Sequence, residues 1–448
     1  MSVGMTKAER IKVSIQATRE RRKSQRPMVI ELKLQNLSKK QVADLNRAFL
    51  EAKWLYNWLL EDLQNRLNLD AGKVAEVQVK VKDTYETRRL ILLGSQVKQE
   101  IQDRLKDNLA SLKRLKKKGV HAGPLKFKPF VNSIPFKQHR VTYEIDSERN
   151  RVRLQKLGWF RVLGLHQLPR AYEIANALLI RKPSGFYVHL VVYVPRAFAE
   201  RNTLSNPSNE KLKPVGVDLG IKTQVTLSGG LQFGYEVPVS SRVKRLGRIL
   251  SRKKKGSKNR EHTRRLLRRE YERLNNRKKD IQNKILSFLR RYPTVVLQDD
   301  QVKGWKEGLF GKQVHFTAIG GLKARLKQSL ATLVVEPYET TSKECFQCGA
   351  RLDLTLSDRY IRCSCGWKAD RDHNAALVIL LLWPEGPNTE RKGLGIPPKD
   401  ALGLDRPEVT PLEMRAAVRT VGSNPYVRIS LVGEGGSAPK GLRSSPPL

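Results

Sequence analysis

The chain is short of acid. Its 448 residues include 43 Asp and Glu against 86 Lys and Arg, a formal net charge of +43. A field of that size repels itself unless a polyanion neutralises it. Nucleic acid is the matching polyanion, because each phosphate contact releases counterions and gains affinity. Cysteine is also scarce: there are four, all between positions 345 and 365. So few, so tightly grouped, exclude a disulfide framework and suit a metal site in a reducing compartment. Long apolar runs are missing as well. The longest, Ala375 to Trp383, falls well short of the roughly 20 residues a membrane span needs. The polar, basic N-terminus has no apolar stretch of the secretory-signal kind. No internal repeat is present. With 39% hydrophobic residues, the chain can still build real cores and is not globally disordered. Charge alone leaves a ribosomal or histone-like binder open.

Residues 1–27 are basic, lack apolar periodicity and read as a flexible arm. Met28 to Leu34 alternates like a strand. Beyond Lys39, Leu45, Phe49, Ala52, Tyr56, Leu59, Leu63 and Leu67 recur at three- and four-residue steps, one helical stripe. A second helix is expected from about Gln96 to Lys118, ending in the basic run Lys113 to Lys118 and stopped by Gly119. Residues 39–119 thus read as a helical lobe inserted into a β region over 28–38 and 120–200. In that region Phe127, Phe130, Phe136, Tyr143, Trp159, Phe160 and Tyr187 are interleaved with Lys and Arg. Such interleaving suits bases stacked beside a charged backbone, although barrel core is the plainer role for any single aromatic.

A polar linker covers 200–213. Next come a buried strand, a tight turn and a second strand in VGVDLGIKTQVTLSGG. Residues 239–291 read as two basic helices with Leu246, Leu250, Leu266, Leu267, Leu274, Ile281, Ile285 and Leu289 inside, a pair suited to tracking a phosphate backbone. TVVLQDD is a strand ending in acids, QVHFTAIGGLKARLKQSLATL a helix, VVEPYET a strand and DRDHNAALVILLL a helix. Residues 214–342 and 366–384 form one α/β domain around a metal unit at 343–365. Residues 385–448, rich in Pro, Gly and Ser, read as a disordered tail.

Two constellations carry chemistry. Cys345, Cys348, Cys363 and Cys365 are spaced C-x2-C-x14-C-x-C. Four thiolates at such spacings suit tetrahedral Zn²⁺ with no open position, so the zinc is structural. Gly349 and Gly366 follow the two pairs, where a knuckle turn needs positive φ. The second constellation is acidic. Asp218 sits in an apolar strand, where a lone carboxylate is costly unless it binds something. Asp299 and Asp300 end a later strand, and Asp372 opens a helix. Asp372 as a helix cap and Asp299 with Asp300 as a strand-end turn are the plain alternatives. Three carboxylates together could hold two Mg²⁺ ions, which prefer oxygen ligands and clamp an in-line displacement at phosphorus.

In their order, GVDLGI, the basic helices, VVLQDDQVKGW, TTSKECFQCG and CSCGWKADRDHNAA resemble the transposon-encoded TnpB nucleases and the compact type V CRISPR effectors. KFKPFVNSIPF and the helix carrying KWLYNWLL resemble that family's N-terminal half, so the resemblance spans roughly residues 28–384. It implies a multidomain α/β protein: a wedge β-barrel with an inserted helical recognition lobe, and an RNase H-like RuvC domain with an inserted zinc ribbon. It implies guide RNA and double-stranded DNA as partners, no membrane, and a monomer or homodimer on the RNA. It implies Mg²⁺-dependent DNA cleavage in a prokaryotic cytoplasm, at the nucleoid. In such proteins base pairing reads sequence while protein reads shape and a short duplex motif. Asp218 matches the first RuvC aspartate and Asp372 the third. Many relatives carry Glu where Gln298 stands, and others carry Glu at the position of Asp300. Side chains alternate along a strand, so Asp300 shares a face with Gln298 and is the candidate second ligand, one methylene shorter than Glu. The alternative to a nuclease is an RNA-guided DNA-binding protein that does not cut, acting as a repressor or targeting subunit.

Overall fold

Alternation along one strand organises the first sheet. In the computed structural model, which describes residues 6–81, 84–196, 213–308, 310–328, 332–335, 341–355, 358–382 and 409–432, Ile30, Leu32 and Leu34 are buried while Val29, Glu31 and Lys33 are exposed. The chain divides into two compact units, 1–199 and 200–448. The linker expected at 200–213 lies almost wholly outside the described residues.

The first unit opens with helix α1 (Lys7–Lys23), where the sequence suggested a flexible arm. This is a correction. Thr6 and Glu9 form a capping box, and Arg21 and Arg22 pair with Glu173 at 2.8 and 2.9 Å. Polar bonds hold the helix. Ile11, Val13 and Ile15 stay exposed, so apolar periodicity gave no signal. Strand β1 (Gln25–Gln35) leads to α2 (Lys39–Glu61), α3 (Leu63–Arg66), the hairpin β2 (Glu76–Val81) and β3 (Thr84–Arg89), and α4 (Ser95–Lys117). Of the expected stripe, Leu45, Phe49, Ala52, Tyr56 and Leu59 are buried, whereas Leu63 and Leu67 lie past the end of α2 and are only partly buried. Gly119 follows α4 with φ 72°. The hairpin was not read from sequence. Its strands are mostly polar, and within β2 and β3 only Val77 is fully buried.

Strands β4 (Ser133–Phe136), β5 (Tyr143–Asp146), β6 (Arg151–Leu154), β7 (Gly158–Leu163), β8 (Glu173–Lys182) and β9 (Gly185–Pro195) join β1 in an antiparallel sheet. Its order is β4-β8-β9-β1-β7-β6-β5. A bridge from His139, three residues past β4, to Tyr143 at the start of β5 brings the two edges together and nearly closes the sheet. One apolar core joins α2 and α4 to it. The interleaved aromatics separate by role: Phe136, Tyr143 and Phe160 are core, whereas Phe127, Phe130 and Trp159 are exposed.

The second unit contains β10 (Val215–Asp218), β11 (Val225–Leu227), β12 (Leu231–Tyr235), α5 (Ser241–Arg252), α6 (Lys258–Leu289) and β13 (Val295–Gln298). It continues through α7 (Val302–Glu307), α8 (Gly311–Thr317), α9 (Ile319–Lys327) and β14 (Thr332–Val335). The single helix expected over 313–333 breaks at Ala318, which adopts φ 51°, and its last residues enter β14. Then follow β15 (Tyr360–Arg362), β16 (Lys368–Asp370), α10 (Arg371–Leu381), α11 (Pro411–Thr420) and β17 (Val427–Leu431).

The main sheet runs β14-β13-β10-β11-β12-β17. β10, β13 and β14 are parallel, and the other pairs are antiparallel. Val217 lies opposite Leu297, so β10 and β13 end side by side. Crevices for ligands open at such carboxyl ends. A Cβ on Gly216 would stand 2.1 Å from the Ala376 carbonyl oxygen and 2.8 Å from the Leu380 nitrogen. Glycine here is what lets α10 lie against β10.

Helix α11 and strand β17 correct the disordered reading of 385–448. Thr410 and Glu413 form a capping box, and Pro411 stands where a helix start tolerates it. β17 pairs with β12, and Ala417, Val421 and Ile429 enter the core. The surrounding Pro, Gly and Ser diluted this short amphipathic signal. Residues 385–408 and 433–448 of that expected tail lie outside the described residues.

Candidate active site and metal centre

Asp218 ends β10, beside the carboxyl end of β13. It keeps some solvent-accessible surface, yet protein surrounds its carboxyl, and burial pushes it well above the usual carboxylate range, followed by repulsion from Asp372 and Asp300. Arg371 opposes that rise and Asp370 adds to it. The second of the three acids, Asp300, is also raised, chiefly by burial, while the Lys323 ammonium opposes the shift.

The strand end separates two adjacent acids. The Asp299 N–H still donates to the Val335 carbonyl at 3.1 Å, so alternation persists one residue past β13. Asp299 turns to α9, pairs with Lys323 and Lys327 at 2.8 Å each, and is held down to about 2 by hydrogen bonds from those two ammonium groups. Lys323 also donates to the Asp300 carbonyl. The third strand-end residue, Gln298, is buried and accepts from the Thr341 hydroxyl at 2.9 Å.

Asp372 lies in the first turn of α10, where the unbonded N–H groups of a helix favour a carboxylate. A Cβ on Gly220 would sit 3.8 Å from its Oδ2, so its carboxylate stands beside the loop leaving β10. Arg359 approaches Asp372 at 3.5 Å and Arg371 at 3.7 Å. The helix cap is Asp370, not Asp372: the Asp370 carboxylate accepts from the N–H groups of Asp372 at 2.9 Å and His373 at 3.1 Å. The His373 ring, 2% exposed, bonds through Nε2 to the Ser228 carbonyl at 2.9 Å. Asp370, Arg359 and His373 escaped the sequence reading. The run DRDHN did hold a signal, since acids on either side of an arginine just before an apolar stretch mark a capped helix start.

Near these acids lies the cysteine unit. Cys345 and Cys365 Sγ are 3.7 Å apart, and Cys348 and Cys363 Sγ 3.5 Å. All four sulfurs lie within 4.8 Å of one another. A tetrahedron with Zn–S bonds of about 2.3 Å has edges of about 3.8 Å, so the spacing fits zinc. Among the described residues this is the one such compact cluster, and the carboxylates gather less tightly. The knuckle glycines behave as expected: Gly349 has φ 73° and Gly366 φ 92°, and their N–H groups donate to the carbonyls of Cys345 at 2.8 Å and Cys363 at 3.0 Å.

The two basic helices also form as expected. Arg242, Arg245, Arg248 and Arg252 on α5, with Ile249 between them, line a groove of about 550 Å³. Four guanidinium groups on one face match a row of phosphates. No helix among the described residues is long and apolar enough to cross a membrane.

Comparison with known proteins follows the same segments. A Cas12f1-like TNB domain model matches residues 322–379. A model described as "Probable transposase" matches residues 189–307. A "Putative RNA-guided DNA endonuclease" from Streptomyces pristinaespiralis is 34% identical over 185 residues, 39% of this chain. The chain spans 46% of that relative's length. "Putative RNA-guided DNA endonuclease InsQ" from Escherichia coli K12 is 25% identical over 338 residues, 69% of this chain and 79% of that protein. A solved chain from a Cas12f1–sgRNA–target DNA complex is 15% identical with a TM-score of 0.35, over 63% of this chain and 70% of that one. The family models and the two relatives bear out the resemblance read from the motifs.

Proposed function

We propose that this chain is an RNA-guided DNA endonuclease similar to the TnpB and compact type V proteins. It would bind a guide RNA, recognise a short duplex motif and cut double-stranded target DNA. The observation that carries this reading is that Asp218, at the end of β10 beside the end of β13, lies close enough to both Asp372 and Asp300 for their charges to raise its carboxyl. The strand order, with three parallel strands and an antiparallel extension, supports an RNase H-like RuvC domain. The nearly closed first sheet and the helices packed on it support the wedge and recognition-lobe assignments. The two curated relatives carry the same activity in their names.

The acidic site suits divalent cations. Its donors are carboxylate oxygens, and at Asp218 and Asp300 burial with like-charge repulsion outweighs the opposing charges of Arg371 and Lys323. Asp218, Asp300 and Asp372 would hold Mg²⁺, which when bound stabilises charge on the phosphoryl oxygens and makes a coordinated water more acidic. The chain's own groups orient these ligands. Arg359 and Arg371 bracket Asp372, and Lys323 fixes the Asp300 main chain. The arginines of α5 would hold the nucleic-acid backbone. Zinc on the four thiolates would be structural, because no coordination position stays open.

The test is expression with the adjacent noncoding transcript, sequencing of the bound RNA, and exposure to a plasmid library of matched targets with Mg²⁺. Cleavage beside a defined motif, lost in Asp218→Asn, is the expected result. Guided binding with no cleavage would overturn the nuclease and leave a guided DNA-binding protein.

A further inference from the structure

Asn374 is fully buried, and it joins the cysteine unit to the helix that carries Asp372. Its Oδ1 accepts from the Phe346 N–H and from Trp367 Nε1, each at 3.0 Å. Its Nδ2 donates to the Glu344 carbonyl at 2.6 Å. Phe346 lies between Cys345 and Cys348 in the first knuckle, and Trp367 follows the second knuckle. One amide therefore ties both knuckles to the first turn of α10, two residues from Asp372. The surrounding contacts act in the same direction. The Phe346 and Trp367 rings stand 5.5 Å apart, and Leu377 and Val378 of α10 complete their apolar cluster. From its other side, α10 is fixed by His373 to Ser228 and by the absence of a Cβ on Gly216.

A buried amide with three bonds into two separately folded loops has little freedom to shift. If the knuckles open, the Phe346 and Trp367 donors move, and the turn carrying Asp372 loses its support. We propose that Asn374 is a positioning residue through which the four-thiolate unit sets the orientation of Asp372 for divalent-cation binding. This rests on the reading of Asp218, Asp300 and Asp372 as cation ligands. Groups that orient metal ligands typically change metal affinity by about 10–100-fold when removed.

The experiment uses the full chain with its copurifying RNA, at matched zinc content measured by mass spectrometry, and Mn²⁺ as the probe. Bound Mn²⁺ is counted by electron paramagnetic resonance, and the Mn²⁺ dependence of cleavage is recorded beside it. Asn374→Ala is expected to keep one zinc per chain and to weaken Mn²⁺ binding by about tenfold or more. Trp367→Phe removes a single donor and keeps the ring, so it is expected to shift binding in the same direction by less. Cys363→Ser removes a zinc ligand and stands outside the zinc-matched set; it should weaken Mn²⁺ binding in the parent chain and add little in the Asn374→Ala background, because the link is already cut. Zinc retained with unchanged Mn²⁺ affinity in Asn374→Ala overturns the proposal. If Asn374→Ala loses zinc, unchanged affinity in zinc-loaded Trp367→Phe overturns it instead. If the parent chain shows no Mn²⁺ site that Asp218→Asn abolishes, the acidic-site reading has failed, not the link.

Discussion

Asp299 and Asp300 are adjacent in sequence and opposite in surroundings. Asp299 is neutralised by Lys323 and Lys327 at 2.8 Å, whereas Asp300 is desolvated and adds its charge to the field around Asp218. The two should therefore separate in function. Asp300→Asn is expected to lower cleavage by on the order of a hundredfold or more, and Asp299→Asn by tenfold at most, about the lower end for a group that only orients others. Equal losses in single-turnover cleavage would remove Asp300 from the ligand set. Asp299 is 40% exposed, so its ion pairs should contribute under about 1 kcal/mol. Its folded carboxyl is depressed to about 2, so that contribution is complete above the ordinary carboxyl range. It is lost as pH falls toward about 2.

Asp218 has the opposite sign. Its carboxyl is raised by burial and by its acidic neighbours, so the folded state binds this proton more tightly than the unfolded chain. In Mg²⁺-free buffer, stability should rise as pH falls through the raised folded value toward the ordinary carboxyl range. Asp218→Asn should flatten that slope and stabilise the cation-free protein at neutral pH by about 1–2 kcal/mol. Thermal melts across pH decide this, and a less stable Asn variant at neutral pH would contradict it.

Gly216→Ala should be costly for its size. The new Cβ meets the backbone of α10 at Ala376 and Leu380, atoms with no side-chain freedom to move away. A loss of at least about 2 kcal/mol is expected, with faster amide exchange in the second half of α10, around Leu380. Wild-type stability would mean that α10 does not press on β10.

The strand at 427–431 gives a fourth check. Ile429 is 5% exposed and Leu431 40% exposed on the same strand. Ile429→Ala should destabilise the second unit by about 2–4 kcal/mol, while Leu431→Ala should stay within about 0.5 kcal/mol. Equal, negligible effects in chemical denaturation would show that β17 does not add to the sheet.

Sequence by itself determined a good deal. Charge pointed to a polyanionic partner, since no local packing alters an excess of 43 cations. Cysteine spacing fixed the four-thiolate unit and its two knuckle glycines, because ligands and turn residues sit within a few positions of one another. The stripes of α2 and α6 and the alternation of β1 were legible because each reports a face buried along its own length. What the tertiary structure alone decided depends on partners distant in sequence. The helix at residues 7–23 is tied by arginines to Glu173, and a strand near residue 430 completes the edge beside β12. The same holds at the site. Alternation put Asp300 on the face of Gln298 and turned Asp299 the other way, and only the fold supplies Lys323 and Lys327 to hold Asp299 there. Asn374 drew no reading from sequence, because its partners Glu344, Phe346 and Trp367 meet its amide only in the fold. Spacing along the chain reveals groups that act within one turn or strand, and only folding reveals which distant group holds each of them in place.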